Sequence, residues 1–286
     1  MSNPPIIAVI GVTGAGKSTF INTASGKSDH GVGYGIDSFT QVVQTSSALV
    51  DNAWVNLIDT PGWDDTHRTD TDILTLIGDH LGNLFGADQL LQGVVLLQPI
   101  TGTRVYGTER KRTRLFEKIC GMSAFPNIVI ATTMWSDVVD QAAAHQRVQE
   151  RIGSPEFWGS MVQGGARVMK HDNTQESALT IIRTLLSNQA RPLQLQTELA
   201  QGYDLANTSV GVQLTADITA MVFTGQNRIE ELEEEVRRTA ADNAALRAKL
   251  QGDINDLNDE VKKQKEEIEK LRRKKVSATG ICSSTY

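Results

Sequence analysis

The stretch from Ile6 to Thr19 constrains this chain more than anything that follows it. Ile6-Ile7-Ala8-Val9-Ile10 is a continuous apolar run leading into Gly11-Val12-Thr13-Gly14-Ala15-Gly16-Lys17-Ser18-Thr19. The order is strand, glycine-rich turn, helix. Backbone N–H groups in such a turn, with a helix N-terminus behind them, form a concave donor set that suits a chain of phosphates. Gly11, Gly14 and Gly16 let the backbone bend and approach closely. Lys17 is expected to place its ammonium against the outer phosphates, and the Ser18 hydroxyl to coordinate a Mg²⁺ bridging the same oxygens. Thr19 continues the helix. The candidate phosphate-binding residues are therefore Gly11, Thr13, Gly14, Ala15, Gly16, Lys17, Ser18 and Thr19.

A chain of 286 residues with 40% hydrophobic composition can bury one sizeable core and keep residues for an appendage. A net charge of −6 and a pI near 5.4 argue against a general nucleic-acid binder, which would show a broad basic face, so no nucleic-acid partner is expected. Two cysteines, Cys120 and Cys282, make neither a disulfide framework nor a zinc site, which points to a reducing compartment. Met1-Ser2-Asn3-Pro4-Pro5 lacks the basic and apolar parts of a signal peptide, and no run is long enough to span a bilayer. A cytoplasmic protein is expected.

The glycine-studded segment 26–35 reads as a loop that ends at Asp37-Ser38-Phe39-Thr40, before a β-branched strand at 41–45. A threonine there can hold Mg²⁺ through its hydroxyl and the γ-phosphate through its N–H, so Thr40 is the candidate for a first switch. A strand at 53–58 then delivers Asp59-Thr60-Pro61-Gly62 at the edge where ligands collect in open α/β sheets. Asp59 is the candidate to hold Mg²⁺ through its water shell, and the Gly62 N–H the candidate γ-phosphate sensor. The next position often carries a glutamine that orients the attacking water; here it is Trp63, so slow hydrolysis is expected, and no catalytic residue is assigned. Arg68, Arg104 and Arg110 are either donors to a second subunit or solvated surface charges.

Asp70-Thr71-Asp72 reads as the cap of a helix whose apolar stripe is Ile73, Leu74, Leu76, Ile77 and Leu81. A doubly covered central strand is expected at 93–97, a basic helix at 109–119 stopped by Gly121, and a strand at 127–132. That last strand ends in Thr133-Met134-Trp135-Ser136-Asp137, placed where a base would be read. Guanine recognition uses a carboxylate inside an Asn/Thr-Lys-x-Asp pattern; here the lysine is missing and the carboxylate arrives one residue late, as Asp137. Either the loop adjusts to present Asp137, or guanine discrimination is weakened. Thr133 and Asp137 are the candidate base-site residues. A helix at 139–152, a strand at 166–169 and an amphipathic helix at 177–187 complete the domain, with Lys170 or His171 in the loop beneath the base. The lone His171 reads as a surface residue or as a cover for the purine.

Gly11 to Ser18, the segment 32–40, Asp59 to Asp65 and Thr132-Thr133-Met134-Trp135 together resemble the GIMAP/Toc-type (paraseptin) GTPases, and fungal members that append a coiled coil in particular. The resemblance covers roughly residues 5–275. It implies a P-loop NTPase G domain of the α/β class: a mostly parallel six-stranded sheet with helices on both faces. It also implies GTP/GDP and Mg²⁺ as ligands, and assembly through the G domain when GTP is bound. The motif matches carry phosphate binding to Gly11 through Ser18, metal and switch roles to Thr40 and Asp59, and γ-phosphate sensing to Gly62.

Arg191-Pro192 marks the end of the G domain (5–190). Residues 191–225, interrupted by Gly202, Gly211 and Gly225, read as a helical linker of short helices that fold back on it. From Arg228 an a/d pattern runs through Ile229, Leu232, Val236, Thr239, Asn243, Leu246 and Leu250. It slips at Ile254 and resumes through Leu257, Val261, Gln264, Ile268 and Leu271. Residues 226–275 therefore read as a coiled coil, with Asn243 setting register in a parallel dimer, or as a single solvated helix. A homodimer through the G domain, the coiled coil or both is expected, together with an unidentified protein effector. The basic run 270–275 suits either a membrane surface or a solvated helix end. The tail 276–286 reads as flexible, and Cys282 lies outside the prenylation pattern. Two other classes stay open: a P-loop ATPase or kinase, and a structural coiled-coil protein with a degenerate nucleotide domain.

Overall fold

β1 (Ile6–Gly11) is buried along its whole length, which explains an apolar run without alternation. Its two faces belong to different cores. Ile7 and Val9 pack with Phe20, Ile21, Ile181 and Leu185, whereas Ile6, Ala8 and Ile10 pack with Ile73, Leu74, Leu115 and Phe116. The computed structural model describes residues 3–26, 44–63, 68–87, 89–101, 107–239 and 243–274. Thr40, Arg104, Cys282 and the tail after Lys274 lie outside these.

Beside β1, the strands are β2 (Gln44–Val50), β3 (Ala53–Asp59), β4 (Leu91–Pro99), β5 (Ile128–Thr133) and β6 (Arg167–Lys170). They form one sheet in the order β2-β3-β1-β4-β5-β6, parallel except for the β2–β3 pair. The helices α1 (Lys17–Ser25) and α6 (Gln175–Leu186) cover one face. On the other lie α2 (Asp70–Gly86) and α3 (Gly107–Cys120), with α4 (Gln141–Gly153) and the short α5 (Gly159–Gln163) following β5. This is the expected G-domain architecture. The glycine-rich turn leaves β1 where its neighbours are β3 and β4, the point at which strand order reverses and α/β sheets bind ligands.

Local differences have local causes. β2 extends to Val50 rather than stopping at Thr45, because Asp51 and Asn52, both with positive φ (48° and 66°), make the tight turn into β3. Residues 41–43 of the expected strand lie outside the described residues. The α2 cap is Thr69 rather than Asp70-Thr71-Asp72: its hydroxyl accepts from the Asp72 N–H, and Asp72 accepts in return from the Thr69 N–H. Cys120 is a buried thiol whose pKa burial pushes far up, and Gly121, in the left-handed region, ends α3 as expected.

The extension departs most from the sequence reading. α7 (Gln194–Ala200) packs Leu195 and Leu199 into the core beside α2 and α3, and the buried Gln196 side chain donates to the Leu81 carbonyl (3.3 Å). Within residues 191–225, α7 thus packs into the same core as α2 and α3. α8 (Ser209–Arg238) is one helix of 30 residues that passes through both Gly211 and Gly225, so the boundary expected at 225/226 falls inside it. Gly225 does not break the helix; a Cβ there would stand 2.7 Å from a Val261 methyl, so the residue permits a close helix–helix approach. The first half of α8 buries Val210, Leu214 and Ile218 in the main core.

Past Thr239 the chain reverses into α9 (Ala244–Arg273), and Asn243 is the N-cap of that helix, accepting from the Leu246 N–H (3.3 Å). Asn243 therefore sets no register in a continuous coil. The a/d residues Ile229, Leu232 and Val236 meet Leu250, Ile254, Leu257 and Val261 of the same chain in an antiparallel hairpin. α9 then runs back to the G domain, where Leu271 is fully buried in the main core.

Because the distal hairpin has its own small core, Ile254→Ala should cost that core about 2–4 kcal/mol. Faster amide exchange is expected in 226–239 and 243–257, with exchange in the sheet unchanged; uniform acceleration would contradict a separable hairpin.

Candidate functional site

The glycine-rich turn has the conformation its sequence implies. Gly14 and Gly16 take φ of 76° and 92°, and a Cβ on either would meet nothing within 4 Å, so both are needed for backbone shape. Gly11 serves packing: a Cβ there would stand 2.8 Å from the Leu97 carbonyl of β4. Ala15 is fully buried, and its carbonyl accepts from the Thr133 hydroxyl (3.1 Å), tying the loop after β5 to the turn. Lys17 is folded inward, its ammonium donating to the carbonyls of Gly11 (3.1 Å) and Val12 (3.0 Å). Ser18 and Thr19 lie in the first turn of α1.

The hydroxyl of Ser18 donates to Asp59 Oδ2 at 2.7 Å, bringing together two oxygens predicted to serve one Mg²⁺ from positions far apart in sequence. Hydroxyl and carboxylate oxygens suit a hard divalent cation. Among the described residues no three His, Cys, Asp or Glu side chains cluster as a metal cage. The set fits a Mg²⁺ held jointly by Ser18, the Asp59 water shell and phosphate oxygens. Thr40, the third expected contributor, falls outside the described residues.

The second switch segment is paired to the turn. Trp63 donates its N–H to the Gly11 carbonyl (3.1 Å) and accepts from the Thr13 N–H (3.0 Å), forming a parallel bridge with Val12. Gly62 lies so close that a Cβ would stand 2.5 Å from Thr13 Oγ1 and 2.8 Å from Thr13 N. The Trp63 indole, only 4% exposed, belongs to the core that holds Ile10, Leu96 and Phe116. Arg110 is engaged by Glu156 (3.0 Å) and lies over the Phe157 ring.

In the loop after β5, Asp137 is exposed, its carboxylate accepts from the neighbouring Ser136 hydroxyl (2.9 Å), and its N–H donates to the Met134 carbonyl to close a short turn. Trp135 is the pillar of this loop. Its indole N–H donates to Thr132, the Lys170 ammonium lies over its ring (4.6 Å), and the His145 ring packs against it at a tilt (centroids 4.6 Å). Lys170 is thus engaged with Trp135. His171 is corrected from a surface residue to a buried one, 1% exposed, edge-on to Phe20, with Nδ1 bonded to Ser177 Oγ (2.8 Å). Burial lowers its pKa, partly opposed by Asp172. Hydrogen bonds from Thr174 and Ser177 lower Asp172 to about 2. The role of Trp135 was missed because an aromatic in a loop carries no periodic signal.

The AIG1 family model matches residues 6–187. The chain belongs to the AIG1 family. No curated protein matches its sequence significantly. Among solved structures, Toc33 from Arabidopsis thaliana with Mg²⁺ and GMPPNP is similar at 15% identity and a TM-score of 0.52, covering 66% of this chain and 87% of that one. The GDP and Mg²⁺ form of Toc33 gives 16% identity and 0.52 over the same shares. A structure from a study of why dimerization matters for the GTPase activity of atToc33 and psToc159 gives 13% and 0.53, over 67% and 86%. At these identities the likeness establishes the G-domain fold. Within this AIG1 domain, the late carboxylate at Asp137 and the buried Trp63 are the features that shape the functional reading.

Gly62→Ala should disrupt the pairing of the second switch with the turn, since the added methyl meets backbone as well as side chain of Thr13. Expected are a stability loss of about 1–3 kcal/mol from overpacking and a change in Trp63 fluorescence as the indole shifts. An unchanged spectrum would show that Gly62 does not hold Trp63 in place.

Proposed function

We propose that this AIG1-family protein is a GTP-regulated switch that binds GTP or GDP with Mg²⁺ and hydrolyses GTP slowly. The observation that carries the reading is the convergence of Lys17, Ser18, Asp59 and Gly62 on one turn, with Thr133 joining the base loop to it. Gly11 to Thr19 cradle the phosphates, Ser18 and Asp59 serve Mg²⁺, and Gly62 with Thr40 senses the γ-phosphate. Asp137 accepts hydrogen bonds from guanine. His171 shapes the base site from behind, through Phe20 and Ser177.

Slow hydrolysis is supported by the burial of the Trp63 indole, which leaves the water-orienting position without a polar side chain. Pairing of two G domains is the proposed mode of homodimerisation, and the Toc33 work linking dimerization to GTPase activity supports it. The parallel coiled-coil dimer loses ground, since the apolar seam of α8 and α9 is closed within one chain. A membrane contact is weakened too, because Lys270 and Lys274 are engaged by Asp72 and Asp79. The hairpin suits an unidentified protein effector, and the cytoplasm is the proposed location, in keeping with the free thiol of Cys120.

Competition binding among GTP, GDP and ATP tests the reading. GTP and GDP should compete with each other, and ATP should not displace them. Lys17→Ala should weaken GTP binding by roughly 10- to 100-fold, the loss of a charge-assisted contact of about 1.5–3 kcal/mol. Equal displacement by ATP would replace the guanine reading with a general P-loop ATPase.

Asp137→Asn separates the two accounts of the base loop. If the loop presents this carboxylate to guanine, GTP affinity should drop by about 30-fold for a lost bidentate contact of roughly 2 kcal/mol. An unchanged affinity would mean that guanine is read elsewhere.

A further inference from the structure

At the end of the sheet opposite the glycine-rich turn, the chain leaves α3 through Gly121, passes a 3₁₀ helix (Met122–Asn127) and enters β5, which runs parallel to β4 and so to β1. Gln194 of α7 and Ser209 of α8 complete the lining of a cavity of about 610 Å³ there. Sites for small molecules span about 300–1,000 Å³. The walls are held close by backbone. A Cβ on Gly121 would stand 2.7 Å from Gln194 Cβ, and one on Gly164 would overlap the Phe125 ring. Met122 and Phe125 give the cavity apolar surface, and Gln163 and Gln194 give it amides. Met122 is 79% exposed, an apolar side chain held out at the rim.

The charged groups of the cavity are Glu117 and Lys118, both in the last turn of α3. Lys118 is exposed, so water can hydrate its ammonium. Glu117 is half-buried, and its Oε1 has neither solvent contact nor a hydrogen-bond partner among the described residues. Burial raises the Glu117 pKa to about 6, opposed by the charge of Lys118, and at neutral pH the carboxylate remains mostly ionised. An ionised oxygen without a donor is costly to bury, and a cation in the adjoining space offsets that cost. We propose that this cavity binds a small organic cation, an ammonium or guanidinium carried on an apolar body, with its charge against the Glu117 carboxylate and its body along Met122 and Phe125. The carboxylate turns freely about its last bond, so either oxygen can face the ligand. Gln194 gives an amide N–H to Glu198 (2.8 Å), and its carbonyl oxygen is oriented as a second acceptor for a ligand N–H. Gln194 and Ser209 lie beyond residue 187, where the family match ends, so this chain's own extension completes the site.

The test uses the full chain, with the Met122 methyl followed by NMR. Phenethylamine is the probe, beside its neutral analogue phenethyl alcohol and its anionic analogue hydrocinnamate. The amine should shift Met122 saturably and bind about ten-fold more tightly than the alcohol. Glu117→Gln, which keeps the shape and removes the charge, should weaken the amine about ten-fold and leave the alcohol unchanged. Lys118→Met removes a like charge at an exposed position and should strengthen the amine about two-fold. Equal binding of amine and alcohol overturns the proposal in favour of a purely apolar pocket. Tighter binding of hydrocinnamate, lost in Lys118→Met, overturns it in favour of an anion site. The absence of a saturable shift with the amine, or an amine affinity unchanged in Glu117→Gln, also overturns it. Comparing the amine with the alcohol on the unaltered protein needs no variant, so it decides the matter if Glu117→Gln does not fold.

Discussion

The pairing of Trp63 with Gly11 and Thr13 is the contact on which the rest of the site depends. It joins the end of β3 to the phosphate-binding turn through two backbone hydrogen bonds, and it presses Gly62 against Thr13. The segment we propose as the γ-phosphate sensor is thereby placed in direct contact with the glycine-rich turn. The burial of the indole gives this pairing a hydrophobic anchor, since a tryptophan buries a large apolar area. One residue thus joins the end of β3, the phosphate-binding turn and the core.

Around that contact the structure is braced from three sides. Thr133 fastens the base loop to Ala15, Ser18 fastens α1 to Asp59, and the extension fastens α2 through α7 and the end of α9. The extension does more than append a helix. Gln196 and Leu195 fill the space against α2, and α8 leaves the core as a continuous rod that α9 follows back.

Much of the G domain was legible in the sequence. The continuous apolar runs at 6–10 and 93–97 could be only doubly covered strands, and both lie at the centre of the sheet. Gly11 to Ser18 implied its own turn, because few sequences combine a strand, three spaced glycines and a lysine. Boundaries moved by a residue or two, and β2 more, because the Asp51-Asn52 turn was not weighed. His171 misled for a different reason: a histidine is as compatible with a surface as with a core, and its contact with Phe20 joins residues far apart in the chain.

By itself the sequence determined most of the G-domain elements and where the residues suited to phosphate and metal stand, since strand runs, glycine spacing and hydroxyl or carboxylate chemistry are local properties. It also determined that α8 and α9 each carry an apolar stripe. Only the tertiary structure decided what covers that stripe. Heptad spacing specifies a face and not its partner, and the same residues are satisfied by a second chain or by a reversal after Thr239. The burial of Trp63, the burial of His171 and the pairing of Lys270, near the end of α9, with Asp72 were decided in the same way, by surfaces brought together from distant parts of the chain.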